Sequence, residues 1–118
     1  MADSVLKQKS FDFAMRIVNA YKELTENKRE FVLSKQMLRS GTSIGANIRE
    51  AQRAQTTADF ASKLTIALKE AEETLYWIEL LKGSLYMDSQ EADVLYGECE
   101  ELVKMLVSST KRLYEQGK

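Results

Sequence analysis

The chain has 118 residues and a mass of 13.5 kDa, which fits one domain, and it is 44% hydrophobic and 30% charged. It contains no histidine and one cysteine, Cys99, so the residue sets of most metal sites and acid–base catalysts are excluded. A net charge of −1 provides no global field that would attract nucleic acid or lipid. We therefore predict a single domain over residues 1–118, with any binding confined to local patches.

The N-terminal residues Met1–Lys7 lack the basic and apolar regions of a signal peptide, and no run of 18 apolar residues occurs in the chain. A single unpaired cysteine is typical of a reducing compartment. The sequence therefore predicts a cytoplasmic protein that has no membrane partner.

Apolar residues recur at helical spacing along the first half of the chain. The first predicted helix runs from about Ser4 to Thr25, and the second from about Glu30 to Ala54. The polar segment 25–29 between them is short enough for a helical hairpin. We therefore expect these two helices to pack antiparallel.

The second half of the chain shows two more helical patterns. The third helix is predicted to start at an N-cap within Thr56–Thr57 and to run to about Lys82, with Gly83 as its C′ residue. The fourth is predicted to be capped within Asp88–Ser89. Similar helix lengths and short links predict an all-α, antiparallel up-down-up-down four-helix bundle.

Cys99 lies in the middle of the apolar stripe of the fourth helix, where a small thiol packs as a hydrophobic side chain. No histidine is present to activate it, and the chain has no nucleotide-binding glycine loop, nucleophile elbow or zinc-ligand spacing. The sequence therefore predicts a non-enzymatic protein with no catalytic residue, no metal and no cofactor.

The third helix carries more apolar surface than one bundle stripe requires. A second strip points away from the direction of the core and consists of Ile66, Trp77, Leu80 and Leu81, with Tyr76 on its opposite edge. Large exposed apolar patches usually mark interaction surfaces, and tryptophan is favoured at their centres. We therefore predict a homo-oligomer that buries this strip between subunits. The alternative is that neighbouring helices or folded-back chain ends cover this strip within a single copy.

The second helix contains Gly41 and Gly45, each of which costs about 1 kcal/mol relative to alanine in a helix interior. Such a pair indicates a helix break or a close approach by another helix. Because Ile44 continues the apolar stripe, we favour a continuous helix with a tight contact. Asn47, at the edge of the stripe, is expected to bond a neighbouring group, and Glu50 to pair with Arg53.

Four basic residues share the face of the second helix opposite its core stripe, and we call them the basic ridge: Lys35, Arg39, Arg49 and Arg53. The ridge spans about 27 Å on a helix and is a candidate nucleic-acid-binding surface. Contacts to phosphates alone would be salt-sensitive and weakly sequence-selective. The alternatives are pairing with acidic side chains of a neighbouring subunit and an ordinary solvated face.

Charge is unevenly distributed along the chain. Residues 1–69 carry 12 Lys and Arg against 7 Asp and Glu, whereas residues 70–100 carry 1 against 9. This asymmetry indicates packing between oppositely charged helices, head-to-tail association of subunits, or solvated faces of mixed sign.

The segment Ser40–Ala51, with its core Ser43-Ile44-x-Ala46-Asn47-Ile48-x-Glu50, resembles the signature of the four-helix-bundle proteins named after 23S rRNA intervening sequences. The similarity continues through Asp59-Phe60 and the run 66–77, and it covers nearly the whole chain. It gives Ser43, Ile44, Asn47 and Glu50 the role of structural motif residues. The chain departs from the family signature at two positions. Gly45 stands where a proline is common in the signature, and Ala51 stands where a glycine often follows the glutamate. Both changes favour a straight second helix.

The resemblance implies a small bacterial bundle that assembles into a ring-like homo-oligomer, with a pentamer as the expected form. A related branch, the accessory variability determinant proteins of diversity-generating retroelements, partners a reverse transcriptase and contacts nucleic acid. That branch is expected to be strongly basic, whereas this chain has a net charge of −1. The general biochemical role of the family is not established.

Two function classes follow from the sequence. The first is a non-enzymatic oligomeric module whose partner is another copy of itself or a different protein. The second is an accessory protein that binds RNA or DNA through the basic ridge, for example beside a reverse transcriptase. Binding to a nucleic-acid probe across a salt series distinguishes the two.

Overall fold

The computed structural model describes residues 2–116, which form the helices α1 (Ala2–Glu26), α2 (Leu33–Ala51), α3 (Thr57–Gly83) and α4 (Ser89–Gln116). A short connection reverses the chain after each of the first three helices, so they pack as an up-down-up-down bundle with extents of 49 × 22 × 20 Å. No strand occurs within residues 2–116. The predicted all-α four-helix bundle is confirmed.

Two helices begin at the caps that the sequence predicts. The side chain of Thr56 accepts a hydrogen bond from the Asp59 amide at 3.0 Å, and Asp88 Oδ2 accepts one from the Glu91 amide at 3.3 Å. Each side chain satisfies an amide that the first helical turn leaves without an intrahelical partner. These polar residues therefore fix where α3 and α4 start.

The C-terminus of α3 differs from the prediction for Gly83. Gly83 is the last helical residue, and the left-handed backbone conformation falls on Leu85, with φ of 68°. The amides of Leu85 and Tyr86 donate to the carbonyls of Lys82 and Leu81 at 3.1 and 3.0 Å, which is the Schellman pattern. The hydrogen bonds place the C′ position two residues after the glycine, so the C′ assignment of Gly83 is wrong.

The start of α2 is set by a buried carboxylate, three residues later than predicted. Val32 occupies the N-cap position and its side chain makes no capping hydrogen bond. Instead, the side chain of Glu30 accepts hydrogen bonds from the amides of Val32, Leu33 and Ser34 at 3.1, 3.0 and 2.7 Å. Burial opposes ionisation of Glu30, but these hydrogen bonds outweigh it and hold the pKa of the carboxyl below its ordinary value.

All four helices contribute to one hydrophobic core, and Cys99 lies within it. The Cys99 thiol is fully buried, and its Sγ donates to the Ala71 carbonyl oxygen at 3.2 Å. Burial raises the pKa of Cys99 to about 12, so the thiol stays protonated at neutral pH. The prediction that Cys99 packs as a core residue is confirmed.

The glycine pair of α2 brings this helix close to α1, as the sequence suggests. A Cβ atom on Gly41 would lie 2.9 Å from Cγ2 of the buried Ile17, and one on Gly45 would lie 3.3 Å from Ser10 Oγ. The helix runs unbroken through both positions. The absence of side chains at these glycines therefore permits the tight α1–α2 contact.

Candidate functional site

The outer face of α3 carries the apolar strip that the sequence singles out. Ile66 is 40% exposed and the flanking Tyr76 is 54% exposed, whereas Trp77 and Leu80 are half-buried. Trp77 packs partly against the core, but Ile66 and Leu80 do not belong to the core or to the residues packed on it. In a single copy these apolar side chains remain partly open to water.

Leu81 does not belong to this surface, so its assignment as an interface residue is corrected. It is fully buried inside the single chain, as is Thr74 seven residues earlier on the same side of α3. The Thr74 hydroxyl lies 2.8 Å from the Ser40 hydroxyl of α2, which shows that this side faces α2. Because α3 packs against both α2 and α4, its buried arc is wider than one stripe. The apolar strip is therefore Ile66, Trp77 and Leu80.

Trp77 is held in place by neighbours on its own helix. Its indole Nε1 donates to Glu73 Oε1 at 3.2 Å, and its ring contacts Tyr76 edge-on with 5.2 Å between centroids. The same Glu73 oxygen accepts from Arg39 Nη2 at 2.6 Å. The polar edge of the indole is therefore satisfied within the chain, which leaves its apolar part for a partner.

The arginines of the basic ridge turn toward different neighbours. Arg39 pairs with Glu73 and, at 3.5 Å, with Glu70, both on α3. The guanidinium carbon of Arg49 lies 5.5 Å from the ring centroid of Phe11 on α1. The ridge therefore presents a discontinuous positive surface, with one of its charges compensated by α3.

The two ends of the basic ridge lie on the surface. Lys35 is exposed in the first turn of α2, and Arg53 is exposed in the turn that follows the helix. Because α2 ends at Ala51, Arg53 does not continue the helical face that the sequence suggests. The structure thus brings Lys35, Arg39 and Arg49 onto one helix and leaves Arg53 beyond it.

The four motif residues of α2 make contacts within the bundle. Ile44 is fully buried in the core, Ser43 Oγ donates to the Arg39 carbonyl at 2.6 Å, and Asn47 Nδ2 donates to the Ser43 carbonyl at 2.9 Å. Glu50 pairs with Lys63 of α3 at 3.3 Å, so its predicted pairing with Arg53 is wrong. The helix ends before Arg53, whereas Lys63 extends from the adjacent helix.

A groove along the seam between α1 and α4 is not apparent from the sequence. The upper half, which lies toward the C-terminus of α1 and the N-terminus of α4, is a cavity of about 500 Å³. Its apolar lining includes Ala20, Val94 and Leu95. Its lower half is a cavity of about 220 Å³ whose lining includes Asp12, Glu98 and Glu101. Arg16 lines both halves, and we call the whole the α1–α4 groove. Helical periodicity assigns residues to faces of one helix and gives no signal for a gap between two.

The upper rim of the α1–α4 groove carries negative charge. Glu23 and Glu91 line the upper cavity from opposite helices. Partial burial, together with the negative charges of Glu23 and Asp88, raises the pKa of Glu91 above its ordinary value. In the lower half, Glu98 Oε2 pairs with Arg16 at 3.0 Å, while Glu98 Oε1 is buried and has no hydrogen-bond partner.

Between residues 2 and 116, no three His, Cys, Asp or Glu side chains are grouped so that they could hold a metal ion. Within the same residues, no helix is both long enough and apolar enough to cross a bilayer.

The bundle and its surface features define an all-α protein with an apolar strip on α3 and a seam groove between α1 and α4. The chain belongs to the 23S rRNA-intervening sequence protein family, whose model matches residues 2–108. It is similar to a solved structure from Bacteroides thetaiotaomicron VPI-5482, a protein of unknown function from the S23 ribosomal protein family. The two are 55% identical with a TM-score of 0.92, over 94% of this chain and 99% of that one. No curated protein matches the chain.

Proposed function

We propose that this protein is a non-enzymatic homo-oligomeric module, with a pentameric ring as its working form, and that the apolar strip on α3 lies between subunits. The observation that carries the proposal is the partial exposure of Ile66, Trp77 and Leu80 along one face. Covering such a face with a second copy removes apolar surface from water, and each Å² that is buried stabilises the assembly by about 25 cal/mol. The buried, protonated thiol of Cys99 supports the absence of nucleophilic chemistry.

Sedimentation of the purified chain tests this assembly. We expect the wild type to sediment at micromolar concentration with about five times the 13.5 kDa chain mass. The double variant Ile66→Lys/Leu80→Lys should sediment as a monomer, because two ammonium groups would have to be buried in the interface. It should keep its helical circular dichroism, since neither side chain packs against the core.

Val107→Lys is the matched control for this double variant. Val107 is 45% exposed on α4 and lies outside both the strip and the α1–α4 groove. Trp77 is the only tryptophan, so its emission should shift to the red in the strip variant and stay unchanged in the control. A wild type that sediments as a lone chain, or a strip variant that keeps the wild-type mass, would contradict the proposal.

The second candidate function is nucleic-acid binding, as an accessory protein that acts alone or beside a reverse transcriptase. The exposure of Lys35, Arg49 and Arg53 favours it, whereas the pairing of Arg39 with Glu70 and Glu73 weakens it. If the basic ridge binds phosphates, affinity for a mixed RNA or single-stranded DNA probe should fall steeply as salt rises. Alanine at all four ridge positions should then abolish binding and leave the oligomer intact. Undetectable binding by the wild type at low salt would exclude this function.

A further inference from the structure

The outer side of the α1–α2 pair carries an exposed aromatic platform. Phe11 of α1 is 46% exposed, and the guanidinium carbon of Arg49, itself an exposed residue of α2, lies 5.5 Å from the ring centroid. Met15, one turn after Phe11, is 49% exposed. Aromatic rings and guanidinium planes are the protein groups on which unpaired nucleic-acid bases stack. The platform therefore offers a stacking surface to an unpaired base.

Basic side chains surround this platform on both helices. On α1, Lys7 lies one turn before Phe11 and Lys22 lies three turns after it. On α2, Lys35 lies about four turns before Arg49, so the two share one side of the helix. All of these side chains are exposed, and they form a track about 20 Å long. We call them together the α1–α2 face: Lys7, Phe11, Lys22, Lys35 and Arg49.

The positive charge of the α1–α2 face is not compensated by nearby carboxylates. Those of the same two helices and their connection line the α1–α4 cavities, cap α2 or pair with α3, and they are Asp12, Glu23, Glu30 and Glu50. Glu26, one turn after Lys22, is exposed at the upper edge of the face. Within residues 5–115, none of the four basic side chains of the face forms an ion pair. The face is thus complementary to a chain of phosphates.

We propose that the α1–α2 face binds single-stranded nucleic acid, with a base stacked on Phe11 and Arg49 and the lysines on flanking phosphates. This inference rests on the nucleic-acid candidate function above. It names single strands as the ligand class and shifts the binding surface from Arg39, which α3 holds, toward α1. A duplex presents the same phosphates, but its bases are stacked inside it and do not reach the platform.

Fluorescence titration with a short single-stranded DNA that contains 2-aminopurine tests the stacking. The wild type should quench the 2-aminopurine emission, and it should bind a duplex of the same sequence more weakly. Phe11→Leu keeps an apolar side chain but removes the ring, so the quench should be lost and single-strand affinity should fall about tenfold. Phe11 does not pack on the core, so this variant should keep its helical circular dichroism. Tyr114→Leu is the matched control, because it removes a 62% exposed ring from α4 and should change neither signal.

The salt dependence of binding tests the lysines of α1. In Lys7→Gln/Lys22→Gln, the slope of log affinity against log salt should become shallower by about 1.4, because each phosphate contact on a single strand contributes about 0.7. The control Lys104→Gln/Lys111→Gln removes the same charge from exposed positions of α4 and should keep the wild-type slope. Equal slopes for the two double variants would contradict the placement of the strand on the α1–α2 face.

The possible results separate this inference from the candidate function. If the wild type binds neither single strands nor duplex at low salt, both fail. If the wild type binds but Phe11→Leu keeps the quench and the affinity, or if duplex binds as tightly as single strand, stacking fails while nucleic-acid binding stands. If Phe11→Leu changes the sedimented mass, the face is a contact between copies, which also overturns the inference.

Discussion

Replacing Glu30 with alanine is expected to lower the free energy of unfolding by about 2–3 kcal/mol, because three amides of the α2 N-terminus lose a charged acceptor. Glu30 is 8% exposed and its carboxylate accepts from the amides of Val32, Leu33 and Ser34, so water replaces it poorly. Urea unfolding at a fixed protein concentration measures the loss. Fixing the concentration matters because assembly adds to apparent stability.

Two further variants make the Glu30 experiment specific. Glu30→Gln keeps one acceptor oxygen but removes the charge, so its loss should be smaller than that of the alanine variant. Glu26→Ala removes an exposed carboxylate from the last turn of α1 and should change stability by less than about 0.5 kcal/mol. Equal stabilities for Glu30→Ala and Glu26→Ala would show that the buried carboxylate does not anchor α2.

The Glu30 contribution should also depend on pH in a defined direction. The pKa of Glu30 is lower in the folded chain than its ordinary value of 4.5. The unfolded chain therefore binds a proton first as pH falls, so the contribution is complete above pH 4.5 and is lost as pH drops through the folded pKa. The stability difference between wild type and Glu30→Gln should shrink over that acidic window.

The second large effect is expected for Gly41→Ala, which should destabilise the protein by about 1–3 kcal/mol even though alanine is the better helix former. The added Cβ would lie 2.9 Å from Cγ2 and 3.4 Å from Cβ of Ile17, a fully buried branched side chain, so a change of the Ile17 rotamer alone does not relieve the contact. Helix α1 would have to move away from α2. Urea unfolding at the same protein concentration measures the change.

Gly45→Ala is the matched control for Gly41→Ala. Its added Cβ would lie 3.3 Å from Ser10 Oγ, a contact that a shift of a few tenths of an ångström relieves. The gain in helix propensity of about 1 kcal/mol then offsets the contact, so little net change is expected. If both glycine variants were equally stable, close approach at Gly41 would not be the reason for the small residue.

The helices and most of the core could be predicted from the sequence because apolar residues repeat at the helical period. The caps at Thr56 and Asp88 could be predicted for a local reason, since a short polar side chain bonds an amide three residues away. Leu81 was misassigned because one helix wheel does not reveal that α3 buries two sides, toward α2 and α4. Which helix packs against a given face is decided by the tertiary structure.

The Glu30 cap and the α1–α4 groove could not be predicted for related reasons. Glutamate is not among the usual N-cap residues, and Glu30 reaches α2 from a connection whose path bends through Arg29, with φ of 55°. The groove depends on the spacing of two helices that are distant in sequence. The partners of Arg39 and Arg49 are likewise set by neighbouring helices, so the basic ridge looked more continuous on a wheel than it is in the bundle.

Because Cys99 is buried against α3, chemical modification of its thiol measures opening of the bundle. A maleimide reacts with thiolate, and in the closed bundle the one thiol is both out of reach and held protonated. Modification can therefore proceed only in chains whose α3–α4 contact has come apart, and each such chain gains a single adduct. At a maleimide concentration high enough for modification to outpace reclosing, the rate at which the adduct mass accumulates equals the rate at which the bundle opens, with no introduced probe.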